Sequence, residues 1–231
     1  FVKYNQNGNV IWAKTIGGIG NEVPAAIAID AIGNIYLAGA FTSNSITIGS
    51  TTLVNTSSSF DIFLTKYSPN GNVIWAKKFG GNKNEVANCI SVDNTGNIYL
   101  GGSFESSSVN FGNSILNNNS IVSSDIFLTK FDTTGNVIWA KSAGGSFSEY
   151  TSSITIDTLQ NVYISAIFQS PTMVFGTSTL TNAGYTDSFL AKYDSNGTPI
   201  WVKKFGGPGS DDAKSVKIDK QGNIYMTGGF S

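Results

Sequence analysis

Histidine and arginine are absent from this sequence, and cysteine occurs once, at position 89. Without histidine the chain lacks the usual general base near neutral pH and the commonest metal ligand. Without arginine it lacks the planar donor fork that grips phosphates and carboxylates. A lone cysteine forms no intrachain disulfide and no thiolate metal cluster, and with no histidine to activate it Cys89 is not expected to be a nucleophile. Charge is scarce too: charged residues make up 13% of the chain and the net charge is −1. That balance excludes the electrostatic footprint of a nucleic-acid or anionic-membrane binder. No run of about 18 apolar residues exists, so no membrane-spanning helix is expected. No cofactor motif is visible.

What the sequence has is a repeat. Asp61–Gly81, DIFLTKYSPNGNVIWAKKFGG, returns as Asp125–Gly145, DIFLTKFDTTGNVIWAKSAGG, and as Asp187–Gly207, DSFLAKYDSNGTPIWVKKFGG. A shortened copy, FVKYNQNGNVIWAKTIGG, occupies Phe1–Gly18. Trp12, Trp75, Trp139 and Trp201 mark the period, 63, 64 and 62 residues apart. A second hairpin follows each copy. Ala25–Asp30 alternates apolar and small residues, Asp30–Asn34 turns, and Ile35–Phe41 returns. It recurs at Asn88–Phe104, Ser152–Phe168 and Lys214–Phe230. Gln160 replaces the turn glycine of Gly33, Gly96 and Gly222, so that turn is expected to differ in type or to be strained. A third, small hairpin is predicted within ITIGSTTL (Ile46–Leu53), VNFGNSIL (Val109–Leu116) and MVFGTSTL (Met173–Leu180). No segment carries a sustained helical period.

Four main strands per 63-residue unit, in antiparallel hairpins, predict an all-β β-propeller of four-stranded blades. A lone blade exposes apolar side chains on both faces and must stack on a neighbour to bury them. The predicted boundaries are three whole blades, 21–81, 84–145 and 148–207, flanked by half-blades 1–18 and 210–231. The two halves are complementary: one supplies outer strands and the other inner strands. Either they pair to close a ring of four, or they are the ends of an open arc cut from a longer array. The abrupt start without Met and the stop at Gly229-Phe230-Ser231 favour the arc.

The unit resembles the bacterial SBBP-type β-propeller repeat. The resemblance rests on Asp61, Phe63, Leu64, Lys66, Tyr67, Gly71, Trp75, Gly80, Gly81, Asp93, Gly96, Asn97 and Tyr99, and it extends over nearly the whole chain in four copies. It implies large secreted or surface-anchored proteins, often of Bacteroidetes, and hence a multidomain, extracellular setting. It implies no shared activity and carries no catalytic residue. The arginine-free, Asn-, Ile- and Lys-rich composition resembles that of an AT-rich genome.

Strand direction sorts the loops into two faces. The glycine turns share one; the long connections and the crossovers after each Gly-Gly share the other. Glu22, Glu85, Glu149 and Asp211 lie in the crossovers, four residues beyond the second glycine, and Asp61, Asp125 and Asp187 begin the DIFL-type strands. These carboxylates would ring one mouth, as a site for a cation or a sugar, or else cap loop N–H groups and pair with repeated lysines. The second reading is favoured because sites are usually built by residues that break a repeat. Asp30, Asp93, Asp157 and Asp219 are better explained as Asx turns than as calcium ligands, since one carboxylate per loop is too few. Eight lysines recur in the outer strands: Lys3, Lys66, Lys130 and Lys192, and Lys14, Lys77, Lys141 and Lys203. They are expected to face solvent and protect sheet edges. Residues that break the repeat are the better binding candidates: Phe60, Phe147, Tyr150 and Tyr185, with the Asn117–Ser120 run, all assigned to loops of the carboxylate face. They suit protein or carbohydrate contacts, or serve as plugs beneath their loops.

The expected function is therefore a non-enzymatic secreted or cell-surface binding or scaffold module. One rival is a lyase or hydrolase in which acids outside the repeat, Glu105, Asp132, Asp194 and Asp212, converge. The other is a structural spacer in a large adhesin.

Overall fold

The computed structural model describes residues 1–231 and contains strands without a helix, so no element is a helix long and apolar enough to cross a membrane. The N-terminal pair is β1 (Val2–Tyr4) and β2 (Val10–Ala13). A first blade follows: β3 (Glu22–Ile29), β4 (Ile35–Phe41), the small hairpin β5 (Ser45–Ile48) and β6 (Thr51–Val54), β7 (Asp61–Tyr67) and β8 (Val73–Phe79). The second comprises β9 (Glu85–Val92), β10 (Ile98–Phe104), β11 (Ser108–Phe111), β12 (Ser114–Asn117), β13 (Asp125–Phe131) and β14 (Val137–Ala143). The third comprises β15 (Glu149–Ile156), β16 (Val162–Phe168), β17 (Thr172–Phe175), β18 (Ser178–Thr181), β19 (Asp187–Tyr193) and β20 (Pro199–Phe205). The C-terminal pair is β21 (Asp212–Ile218) and β22 (Ile224–Gly229).

Each blade is a four-stranded antiparallel sheet in chain order, β3-β4-β7-β8, β9-β10-β13-β14 and β15-β16-β19-β20, with the small hairpin as a sheet of its own. Every residue of β4, β7, β10 and β13 is buried, because these central strands have a neighbour on both sides and are covered on each face, β10 and β13 by whole blades and β4 and β7 by the second blade on one face and by Phe1, Trp12 and the small hairpin on the other. First strands of successive blades pack on one another, β3 on β9, β9 on β15 and β15 on β21. Each first strand also carries one bulge, at Ala25, Asn88, Ser152 and Lys214, which the pairing skips. Bulges increase local twist, and recurrence at one place gives every blade the same bend.

The cores lie between blades. One apolar cluster joins Tyr36, Ile62 and Phe79 of the first blade to Ile98, Phe127 and Phe131 of the second. The small hairpins, legible as two apolar pieces around a glycine, fold over these seams. Phe111 is fully buried, stacked on Phe79 of the preceding blade at 5.1 Å between centroids and tilted against Phe127 at 5.0 Å. Burying a ring of that size stabilises by about 2–3 kcal/mol. At the rim, Trp12, Trp75 and Trp139 each lie beneath the turn of the next blade. A Cβ on Gly71 would come within 3.0 Å of Trp12, one on Gly135 within 3.2 Å of Trp75 and one on Gly197 within 2.8 Å of Trp139. These turn glycines also hold positive φ, so two constraints fix them.

The end pairs remain apart. β1 pairs with β2 alone and β21 with β22 alone. Of the two arrangements compatible with the sequence, the structure has the open arc.

Candidate binding face

The carboxylates assigned to one mouth are turned inward. Glu85, Glu149 and Asp211 are buried and Glu22 is half-buried. Each accepts from the backbone N–H of its second glycine: Gly18 N to Glu22 at 3.1 Å, Gly81 N to Glu85 at 2.6 Å, Gly145 N to Glu149 at 3.0 Å and Gly207 N to Asp211 at 2.8 Å. The other carboxylate oxygen reaches a serine two residues beyond the second strand of the blade, through the hydroxyls of Ser43 and Ser170 and the N–H groups of Ser106 and Ser231. These four acids are thus crossover clasps. Burial pushes Glu149 up to about 7, with Asp125 adding to the effect and hydrogen bonds from Ser170 and Gly145 opposing it. Glu85 is raised for the same first reason.

Asp61, Asp125 and Asp187 are likewise buried beneath the first glycine of each Gly-Gly pair, where a side chain would collide with the carboxylate. Lys78 pairs with Asp61 at 2.6 Å and Lys204 with Asp187 at 2.7 Å. The middle blade has Ser142 at the lysine position. There Asn119 donates to Asp125 from its backbone N at 2.9 Å and from Nδ2 at 2.8 Å. The Asn117–Ser120 run, a candidate contact segment from the sequence, is therefore partly a replacement for a missing cation.

The lysines of the first row correct the expectation of solvent-facing edge protection. Lys66 and Lys130 are buried. Lys66, Lys130 and Lys192 each stand 5.1 Å above the tyrosine of the adjacent strand, Tyr36, Tyr99 and Tyr163. Lys3, Lys66 and Lys130 also donate to a carbonyl of the next blade's turn, Pro69, Thr133 and Ser195. In the second row Lys141 and Lys203 are exposed and Lys14 and Lys77 half-exposed. Asp30, Asp93, Asp157 and Asp219 each accept from the N–H groups two and four residues on, the Asx geometry. Cys89 is buried, and burial raises its thiol to about 12.

What this face offers to solvent is set by the loops before β7, β13 and β19. Asn55, Asn118 and Asn182 anchor them by donating to the last carbonyl of the second strand, at Phe41, Phe104 and Phe168. The tips beyond that constant anchor differ in length and residue: Ser58, Ile121-Val122 and Tyr185. Tyr185 is 81% exposed, Ile121 75% and Val122 84%. Phe147, in the neighbouring crossover, is 54% exposed. Phe60 is half-buried at the first joint, where its carbonyl accepts from Glu85 N. Tyr150 lies not in a loop but in β15, opposite Ile167 and 38% exposed. Ile121 and Val122 were missed from the sequence; two adjacent apolar residues inside a polar loop with no counterpart in the other copies were the signal. A rigid frame with variable exposed tips is the usual construction of a recognition surface.

A family model described as SBBP, beta-propeller repeat, matches residues 200–228, from β20 through β22. The chain is a β-propeller repeat protein. It is 37% identical over 120 residues to an uncharacterized WD repeat-containing protein of Acanthamoeba polyphaga mimivirus, covering 49% of this chain and 8% of that protein. It is 25% identical over 103 residues to the regulatory protein FlaEY of Caulobacter vibrioides, covering 44% of this chain and 11% of that protein. The β-propeller repeat protein thus spans only a small part of the length of these relatives.

Proposed function

We propose that this chain is a non-catalytic binding module of a larger secreted or cell-surface bacterial protein. It contacts a protein or a glycan through the loop face that carries Ile121, Val122, Phe147 and Tyr185. The supporting observation is the exposure of these four side chains on anchored loops, which are the positions where the repeat is broken. Adjacent aliphatic tips fit a protein surface better than a sugar, which prefers aromatic rings and paired hydrogen bonds. The WD repeats named in the mimivirus relative are also propeller repeats.

The placement of the remaining acids favours binding over catalysis. Asp132 and Asp194 cap turns on the opposite face, in different blades. Glu105 accepts from Asn84 beside the second blade, and Asp212 pairs with Lys214 on β21. Two-carboxylate hydrolysis needs its acids within about 5–10 Å. The test is a glycan array together with pull-down from a natural binding surface, comparing the chain with Tyr185→Ala and with Ile121→Ser/Val122→Ser. Loss of capture with an unchanged melting temperature supports the reading. Undiminished capture by both variants would move the contact to another surface, and no capture by the unaltered chain points instead to a spacer.

A further inference from the structure

Three departures from the repeat meet at the seam between the second and third blades, both of which are whole. The first is Ala143. At the same place in the preceding blade stands Phe79, its ring stacked on Phe111 at 5.1 Å and tilted against Phe131 at 5.3 Å. One seam on, the corresponding rings are Phe175 and Tyr193, 5.2 Å apart. With a methyl group in place of the phenyl, a cleft of about 200 Å³ lies there. It is lined by Ala143, Phe175 and Tyr193, with Lys141, Thr198 and Pro199 among its walls.

The second departure is Ala191. In the first blade Tyr67 has the hydroxyl of Thr65 beside it. In the second, Phe131 has no hydroxyl to offer, and Thr129 Oγ1 lacks a partner. The third blade has the reverse: Tyr193 keeps its hydroxyl, but Ala191 stands where Thr65 does. Tyr193 is 4% exposed, and burial raises its phenol with no hydrogen bond acting on it. A buried tyrosine hydroxyl usually finds a partner, and the space this residue lines is the cleft. The third departure is Ser142, where the other blades carry Lys78 and Lys204, each paired with an aspartate. A short side chain therefore borders the cleft beside Lys141, which is exposed and forms no ion pair. A cleft of related parts lies before the first blade, but there Ile16 stands at the place of Ala143, packed into the core with Tyr67.

We infer that the cleft between the second and third blades binds a small aromatic carboxylate of the size of benzoate. Its ring takes the space that Phe79 fills one seam earlier, against Phe175 and Ala143. Its carboxylate is received by the Lys141 ammonium at the mouth, with the Tyr193 hydroxyl as a second donor. An apolar floor edged by a few polar groups is the usual form of a small-molecule site. A sugar suits it less, because a pyranose would bury hydroxyls against Phe175 and Ala143, where nothing pairs them. The cleft lies at the far end of β19 from the Tyr185 loop, so it is separate from the loop face.

Titration of the isotope-labelled chain with sodium benzoate, followed by its amide chemical shifts, tests this. Saturable shifts are expected at Ala143, Gly176, Gly197 and Thr198. Ala143→Phe restores the ring of the neighbouring seam and is expected to weaken benzoate about tenfold or more, while the filled space keeps or raises the melting temperature. Tyr193→Phe removes one donor and weakens benzoate by about three- to tenfold. Lys141→Met weakens benzoate to a similar degree but leaves benzyl alcohol, which has the ring without the charge, binding as before. Shifts that do not saturate, or that do not centre on these residues, overturn the proposal. So does a benzoate affinity unmoved by Ala143→Phe or, should that variant not fold, unmoved by Tyr193→Phe. Benzyl alcohol binding as tightly as benzoate to the unaltered chain overturns the assignment of an anion.

Discussion

Lys66 Nζ stands 5.1 Å from the centroid of the Tyr36 ring in its own blade and donates to the carbonyl of Thr133 in the next, at 3.1 Å. One side chain therefore ties strand to strand and blade to blade. Burial costs the ammonium hydration, and the ring face and the carbonyl replace it; a desolvated cation–π contact contributes about 2 kcal/mol. Lys66→Met keeps the stem and removes the charge, and is expected to lower unfolding free energy by about 1–2 kcal/mol in urea. Lys77→Met, at a half-exposed position, is expected to change it by less than about 0.5 kcal/mol. Equal effects would return both rows of lysines to the role of surface charges.

Gln160 provides a second test. Its φ is 64°, close to the glycines at the same turn, and its N–H still closes the turn onto Asp157 O at 3.0 Å. The turn type is therefore unchanged, and the third blade adopts it with a residue that disfavours it. A left-handed conformation costs a residue with a Cβ about 1–2 kcal/mol, partly offset by the greater freedom of glycine when unfolded. Gln160→Gly is expected to raise stability by about 0.5–1 kcal/mol, read from the urea midpoint. A loss of stability would show that the Gln160 side chain contributes more than its backbone costs.

The fold was legible because repetition marks every strand and turn several times over, and burial in a propeller follows the same period. Which neighbour a recurring side chain meets was not. The carbonyl of Thr133 lies 67 residues from Lys66, and a repeat shows that both recur without showing that they touch. For the carboxylates of one face the sequence leaves a ligand ring and a cap-or-lysine role both open, and it does not show how the work is divided: Glu85-type acids in the crossovers accept from loop N–H groups, and Asp61-type acids at the strand starts hold Lys78 or its substitute. On the candidate face the aromatic breaks in the pattern stood out, whereas Ile121 and Val122 were masked by the polar residues around them.

The middle blade carries a compensation that can be separated by a double-mutant cycle. Asn119→Ala removes both the side-chain donor to Asp125 and the preference of its loop for the present path. With Asp125 Oδ1 already lacking a partner, the expected cost is about 1–3 kcal/mol. Ser142→Lys places a cation where Lys78 and Lys204 stand in the other blades. In the Asn119→Ala background it is expected to recover at least half of that loss, while in the unaltered chain it gains little. Strict additivity of the two changes, in urea unfolding, would mean that Asn119 and Ser142 act independently.

The pH dependence of stability follows from Glu149. Its carboxyl, near 4.5 when exposed, is held at about 7 in the fold, chiefly by burial. The folded chain therefore binds a proton more tightly than the unfolded chain. The stabilisation is complete below about pH 4.5 and is lost as pH rises through about 7. Asp93 acts in the opposite sense: burial alone would raise it, but hydrogen bonds from Thr95 and Asn97 hold it below its ordinary value. Its contribution is present above the ordinary aspartate range and lost only in stronger acid. Between these limits Glu149 governs, with Glu85 adding to the same slope. The melting temperature is expected to fall as the buffer is taken from mildly acidic to neutral, by several degrees for a chain of this size. Glu149→Gln, which stays neutral throughout, should flatten much of that slope. A melting temperature that climbs toward neutrality, or a slope unchanged in Glu149→Gln, would mean that the clasp carries its charge in the fold as easily as in water.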